Sequence, residues 1–117
     1  MKRQILFRAK RIDNGEWVEG DLHVIDCKHP HIHCNGISYR IDVNTVGQFT
    51  GLTDANEVNI FEDDLLQNNK EIIFKVKWHG ALYGFSGYVK KWDSSYSAAN
   101  FKEFLIIGNI YDNPELL

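Results

Sequence analysis

The sequence predicts an all-β protein with only short helical turns, closing as a small barrel or a two-sheet sandwich of antiparallel strands. Three observations predict it. Apolar and polar residues alternate over Ile37–Val43 and again over Ile72–His79, the period of a half-buried strand. The pairs Asn14-Gly15 and Asn35-Gly36 sit between β-prone flanks, where both residues tolerate the positive φ of a two-residue hairpin turn. Nowhere does a helical period hold for more than about two turns, so helix content should fall well below the roughly one-third of an average globular chain.

Gln4 to Lys10 reads as a strand with Ile5, Phe7 and Ala9 on one face. The Asn14-Gly15 turn returns it through Trp17-Val18-Glu19, and Gly20-Asp21 is expected to interrupt that return with a bulge or sharp turn before Leu22 to Ile25. Lys28-His29-Pro30 breaks the run, His31 to Cys34 forms a short strand, and Asn35-Gly36 turns into Ile37 to Val43. Asp42 to Thr45 reads as a single helical turn with Asp42 bonding amides two or three residues on. Val46 to Leu52 is a β-type stretch whose Gly47 and Gly51 bracket a bend.

Polar residues from Thr53 to Glu57 form a turn, followed by extended pieces at Val58 to Phe61 and Leu65-Leu66. The polar loop Gln67 to Lys70 leads into Glu71 to His79, with Ile72, Phe74, Val76 and Trp78 facing the core. Gly80 to Leu82 turns, and Tyr83 to Trp92 carries aromatic residues on both faces. Asp93 to Asn100 reads as an exposed loop. Phe101 to Ile110 is apolar on both sides, as in a strand covered on two faces, and Asn113-Pro114 caps a last helical turn.

At 117 residues, 44% apolar and 13% aromatic, the chain suits a single domain, residues 1–117, with one core. A mean hydropathy of -0.34 and the lack of a long apolar run exclude a membrane span and a signal-peptide core, so a soluble cytoplasmic protein is expected. Two cysteines fall far short of a disulfide scaffold. Net charge is -3, with 7 basic and 11 acidic residues over 1–67 against 6 and 5 over 68–117; a strongly basic nucleic-acid footprint is absent from the whole.

Four constellations could carry chemistry. Cys27, His29, His31, His33 and Cys34 are zinc-type ligands, but alternate strand positions lie roughly 7 Å apart and no paired knuckle spacing is present, so an exposed polar hairpin is the plainer reading. Gly84-Phe85-Ser86-Gly87 lacks the spacing of a nucleophile elbow. Glu62, Asp63 and Asp64 could take a hard cation, although a carboxylate run beside a turn is ordinarily a solvated loop. Finally, Lys75, Lys77, Lys90 and Lys91 accompany Trp78, Tyr83, Phe85, Tyr88 and Trp92, a lysine and aromatic surface of the kind that stacks single-stranded nucleic acid. Against that, Trp78 reads as core.

Three blocks, Gln4 to Ala9, Val46 to Asp54 and Ile107 to Leu117, together resemble the YopX family of phage and prophage proteins, in order, spacing and total length. The resemblance implies a small β-rich protein of the infected or lysogenic host cell that self-associates; the family has no established activity and supplies no catalytic residues to carry over. Where that family reads Asn-Gly and then Glu-Gly-Asp, this chain has Asn56-Glu57 and Glu62-Asp63-Asp64. Both glycines that permit left-handed turns are lost.

The sequence therefore leads to a non-enzymatic phage accessory protein of the host cytoplasm, without a cofactor, acting by protein association. Its partners are expected to be further copies of itself or an unknown host or phage protein. The expected interaction surface is Tyr83, Tyr88, Lys90, Lys91 and Trp92. Nucleic-acid binding through that surface is the alternative, and metal binding the third reading.

Overall fold

The computed structural model describes residues 5–24, 29–68, 72–79, 84–89 and 94–116. Among these the chain is all-β, with only 3-10 turns as helical elements: β1 (Phe7–Lys10), β2 (Trp17–Val24), β3 (Pro30–Cys34), β4 (Ile37–Arg40), β5 (Gly47–Thr53), β6 (Asn59–Phe61), β7 (Asp64–Gln67), β8 (Ile73–His79), β9 (Gly84–Val89), β10 (Ser94–Ser97) and β11 (Leu105–Asn109). They form two antiparallel sheets, ordered β4-β3-β2-β1-β5-β6 and β10-β9-β8-β7-β11.

Among the described residues the buried side chains gather in two clusters, and the chain divides into two compact units, Met1–Phe49 and Thr50–Leu117, whose boundary falls inside β5. In the first unit, Ala9, Val18, Ile32 and Ile41 are buried, with Phe7, Leu22, Cys34 and Tyr39 packed against them. These residues occupy alternate positions of β1 to β4, with Ile41 at the bridge just past β4, on the face that the pleat turns inward. Past the ends of β4 and β1 the chain is stitched together: Arg11 pairs with Ile41, Ile12 N donates to Arg40 O at 3.0 Å, and Asp42 N donates to Lys10 O at 2.9 Å. The sheet therefore curls, and β1 and β4 meet at one end. Asp42 caps the 3-10 turn Val43–Thr45 as expected, its side chain accepting from Asn44 N.

Asn35 and Gly36 both take positive φ, 52° and 80°, in the tight turn that joins β3 to β4. The first hairpin departs from expectation. Lys10 pairs with Trp17, Arg11 N donates to Glu16 O and Gly15 N to Arg11 O, so four residues fill the turn and, of the Asn14-Gly15 pair, only Gly15 is left-handed. The side chain of Asn14 accepts from Glu16 N, a local bond that holds the wider loop. Gly20 does not break β2 either: it pairs with Phe7, and a Cβ there would collide with the carbonyl of His33. It is a glycine of close backbone approach rather than of a bulge.

The second unit is built on Ile60, Leu66, Phe74, Val76, Val89 and Phe101, with the Phe74 and Phe104 rings stacked 4.9 Å apart. Two elements differ from expectation. Residues 94–97 are a strand, because β9 supplies a partner from Val89↔Ser94 to Ser86↔Ser97; serine-rich sequence carries no local sign of that pairing. Phe101 lies in a 3-10 segment, Ala98–Glu103, so the last strand starts only at Leu105 and exposes that residue. The turn Pro114–Leu116 is present. The expected turn at Gly80 to Leu82 lies outside the described residues.

Of the two glycines expected to bracket a bend, Gly51 takes φ 84°, whereas Gly47 pairs with Arg8 as an ordinary strand residue. The bend is one-sided, and Leu52 N beyond it donates to Thr50 Oγ1.

Candidate functional site

The lysine and aromatic surface is described only in part. Tyr88 lies on β9 opposite Lys75, whose Nζ sits 5.8 Å from the ring centroid. Tyr83, Lys90, Lys91 and Trp92 lie outside the described residues. Trp78 corrects the sequence reading. It shares the pleat face of Phe74 and Val76, but it lies one rung beyond the buried cluster and is 51% exposed. Its ring meets Phe85 edge-on at 5.2 Å and 82°, so a half-open pair of aromatic rings marks the end of the β8–β9 ladder.

Register divides the described zinc-type residues between the two faces of β3. His23 faces His31, and Asp21 faces His33 across β2–β3; His31 faces Arg40, and His33 faces Ser38 across β3–β4. These side chains share the outer face, where the His23 and His33 rings meet edge-on at 5.0 Å. Cys34 points the other way and packs on the core, because odd and even positions of a strand face opposite sides. His29 Nδ1 accepts from an Arg40 NH2 group at 2.7 Å. Cys27 lies outside the described residues, and among those described no group of three or more His, Cys, Asp or Glu is placed to hold a metal ion.

The acidic run is structural. Asp63 takes φ 72° and its Oδ2 accepts from the Tyr111 hydroxyl at 2.8 Å. Asp64, 1% exposed, accepts from Phe61 N at 2.8 Å. Ser86 is buried within β9 opposite Lys77, not on the exposed strand-to-helix turn that nucleophilic serines use.

The middle and closing recognisable blocks are joints of the same kind. Asp54, 4% exposed, accepts at Oδ1 from Asn56 N and Val58 N and at Oδ2 from Ile106 N, 52 residues away. Burial alone would raise its carboxyl pKa, but the Val58, Ile106 and Asn56 amides together hold it below the ordinary value. In the closing block, Asn109 Oδ1 accepts from Tyr111 N and Asp112 N, while Asn113 Oδ1 accepts from Asn109 N and fills the space that a Cβ on Gly108 would need.

Sequence reasoning missed an open cleft of about 410 Å³ in the first unit, lined by Lys10, Arg11, Ile12, Gly15, Pro30, Arg40, Ile41, Asp42 and Val43. It forms where the curl of the sheet brings the end of β4 to the end of β1. On its rim, Arg11 grips Asp13 as a fork, Nε to Oδ1 at 3.0 Å and NH2 to Oδ2 at 2.6 Å, with its guanidinium 4.4 Å from the centroid of the Tyr39 ring. That hydrogen-bonded guanidinium holds the Asp13 carboxyl below the usual carboxylate range. Lys10 and Arg40 are far apart in sequence, and only the register of β1 to β4 unites them.

No helix among the described residues is long and apolar enough to cross a membrane. No curated protein matches the chain. The family model described as YopX protein matches residues 6–117, a span that includes the middle and closing blocks and the first from Leu6 onward, so the chain belongs to the YopX family.

Proposed function

We propose that this protein is a phage-type accessory protein that works without catalysis, by association with protein, and that it self-associates in the host cytoplasm. Family membership supports the phage connection. The observation that carries association is Trp78, half exposed on the core-facing side of β8 and braced by Phe85. A large aromatic ring packed against a neighbouring ring at the surface is the kind of anchor on which protein interfaces concentrate their energy. Ile5, Ile12 and Val43 are also more than half exposed.

Light scattering at micromolar concentration tests this reading. The expected result is an oligomer that Trp78→Ala converts toward monomer with little change in melting temperature, since the exposed ring contributes little to the core. A monomeric wild-type protein would refute self-association.

Nucleic-acid binding is the second reading, favoured by Lys75 lying against Tyr88. Salt-sensitive binding to mixed single-stranded DNA, abolished by Lys90→Ala with Lys91→Ala, would put it first.

A further inference from the structure

We infer that His23 and His33, on the outer face of the β2–β3 hairpin, form a two-histidine site for a late first-row divalent metal ion of the Co²⁺, Ni²⁺ and Zn²⁺ class, with water completing its coordination. The inference rests on the first unit alone and is independent of self-association through Trp78.

Register builds the pair from residues that no local motif contains. His23 lies on β2 directly opposite His31, and Asp21, two residues earlier, lies opposite His33, so His23 and His33 are diagonal neighbours on one face of the sheet. Both residues are exposed, and their ring centroids stand 5.0 Å apart at 84°. That separation suits chelation. A metal–nitrogen bond of about 2.0–2.1 Å places an ion roughly 3.2 Å from a ring centroid, and two rings subtending about 90–110° at the ion then have centroids about 4.5–5.2 Å apart. Rotation about χ2, broad and roughly two-fold in histidine, can turn a nitrogen of each ring toward a common point without moving the backbone.

The surroundings favour a cation here and limit the protein ligands to two. Asp21, exposed and directly across from His33, adds a negative charge to the same face. Arg40, the cation opposite His31 on β4, is bonded to His29 Nδ1 at 2.7 Å, which draws both of those side chains into a contact of their own. His31 is half-buried and its Nδ1 has no hydrogen-bond partner, so the face carries an unmet demand beside the pair that a metal-bound water can satisfy once the ring turns outward. Cys34 packs on the core side of β3, which keeps its thiol from this face. Among the described residues no third ligand is placed around the pair, so the remaining positions fall to water and the ion exchanges readily. Imidazole nitrogen selects late first-row ions over Mg²⁺ and Ca²⁺, which take oxygen ligands.

Isothermal titration calorimetry of the untagged full-length protein with nickel chloride in chelator-free buffer tests the inference, and the absorption spectrum with cobalt chloride reads the ligand types. Saturable binding of about one ion per chain is expected, with a dissociation constant below about 100 μM. His23→Gln and His33→Gln should each weaken it by at least about tenfold, because losing one arm of a chelate removes the advantage of the second, tethered ligand. His29→Gln should leave it unchanged, and acidification should release the ion, since only the unprotonated ring binds metal. Both ligand positions are exposed, and unchanged melting temperatures confirm that the variants fold. Trp78→Ala should leave metal binding unchanged even where it abolishes oligomers, so failure of one reading is visible apart from failure of the other. The inference is overturned by an absence of saturable binding, by affinity unchanged in either His23→Gln or His33→Gln, by equally tight binding of Mg²⁺, or by a thiolate charge-transfer band in the cobalt spectrum, which would move the site to the cysteines.

Discussion

Replacing Asp54 with alanine removes the acceptor for three backbone amides at once: Asn56 N at 2.8 Å, Val58 N at 3.0 Å and Ile106 N at 3.1 Å. A hydrogen bond to a charged group is worth about 1.5–3 kcal/mol, and an orphaned buried donor costs a similar amount. Asn56 and Val58 are exposed, so water can replace the carboxylate there; Ile106 is partly buried, and its amide bears most of the loss. The sum comes to about 3 kcal/mol for the second unit, a fall of roughly 12–24 °C in melting temperature for a unit of this size.

Indole fluorescence in a Trp17→Phe background reads the second unit alone, since Trp78 and Trp92 then remain. The pH dependence supplies a second readout. The folded carboxyl lies below its unfolded value of about 3.9; its stabilisation is therefore complete above about pH 4 and is lost as pH falls through the folded value. Asp54→Asn should be less stable than wild type at neutral pH and converge on it in acid. A melting temperature for Asp54→Ala within about 2 °C of wild type, well inside the shift expected from these bonds, would refute the reasoning, as would a constant gap between wild type and Asp54→Asn from pH 7 to pH 2.

Two further perturbations test the backbone. Gly20→Ala drives a Cβ into the His33 carbonyl, and a strand backbone has little room to yield, so urea denaturation should show the first unit weakened by about 2–3 kcal/mol; an unchanged midpoint would show that β2 and β3 can separate locally. The left-handed pair Glu57 and Asp63, φ 62° and 72°, should respond in opposite directions to glycine. Glu57→Gly relieves a conformation that costs about 1–2 kcal/mol and should stabilise by roughly 0.5–1 kcal/mol after the entropy of glycine is subtracted. Asp63→Gly forfeits the Tyr111 bond and should destabilise by about 1 kcal/mol. Equal effects from the two would refute the assignment.

Much of the strand pattern was legible because the pleat writes itself into sequence. Ile72 to His79 shows the alternation that a half-buried strand needs, and Asn35-Gly36 carries the residues its turn demands. Ile37 to Val43 shows the same alternation, but β4 ends at Arg40, Val43 lies in the 3-10 turn, and only Tyr39 and Ile41 of its apolar residues pack on the core while Ile37 and Val43 are exposed. Two kinds of feature escaped. The edge strand Ser94–Ser97 has few apolar side chains to announce it and exists because β9 offers backbone partners. The cleft depends on the curl that brings Arg40 near Lys10, a consequence of register across four strands that no local window contains. Trp78 was misjudged for a related reason: face is fixed by parity along the strand, but burial is fixed by where the packed cluster ends.

Glu57 and Asp63, at the two positions where the family resemblance leads one to expect glycine, both take the left-handed conformation. Asp54 Oδ1 holds the amides of Asn56 and Val58 on either side of Glu57, and Glu57 N donates to Asp54 O at 3.0 Å, so the turn is fixed by its neighbours and Glu57 must adopt the left-handed conformation whatever its own preference. Asp63 is held by different means: its N–H donates to Val76 O, its carbonyl accepts from Ile110 N, and its carboxylate binds the Tyr111 hydroxyl of the closing block. Aspartate tolerates the left-handed region better than most residues, and here it gains a partner that glycine could not offer. The middle and closing blocks are thus recognisable because they are joints, in which a carboxylate or amide side chain satisfies particular backbone groups. Trp78, exposed beyond the packed cluster, lies outside those joints, so the residues that identify this chain as a member of its family differ from the residue through which it is proposed to self-associate.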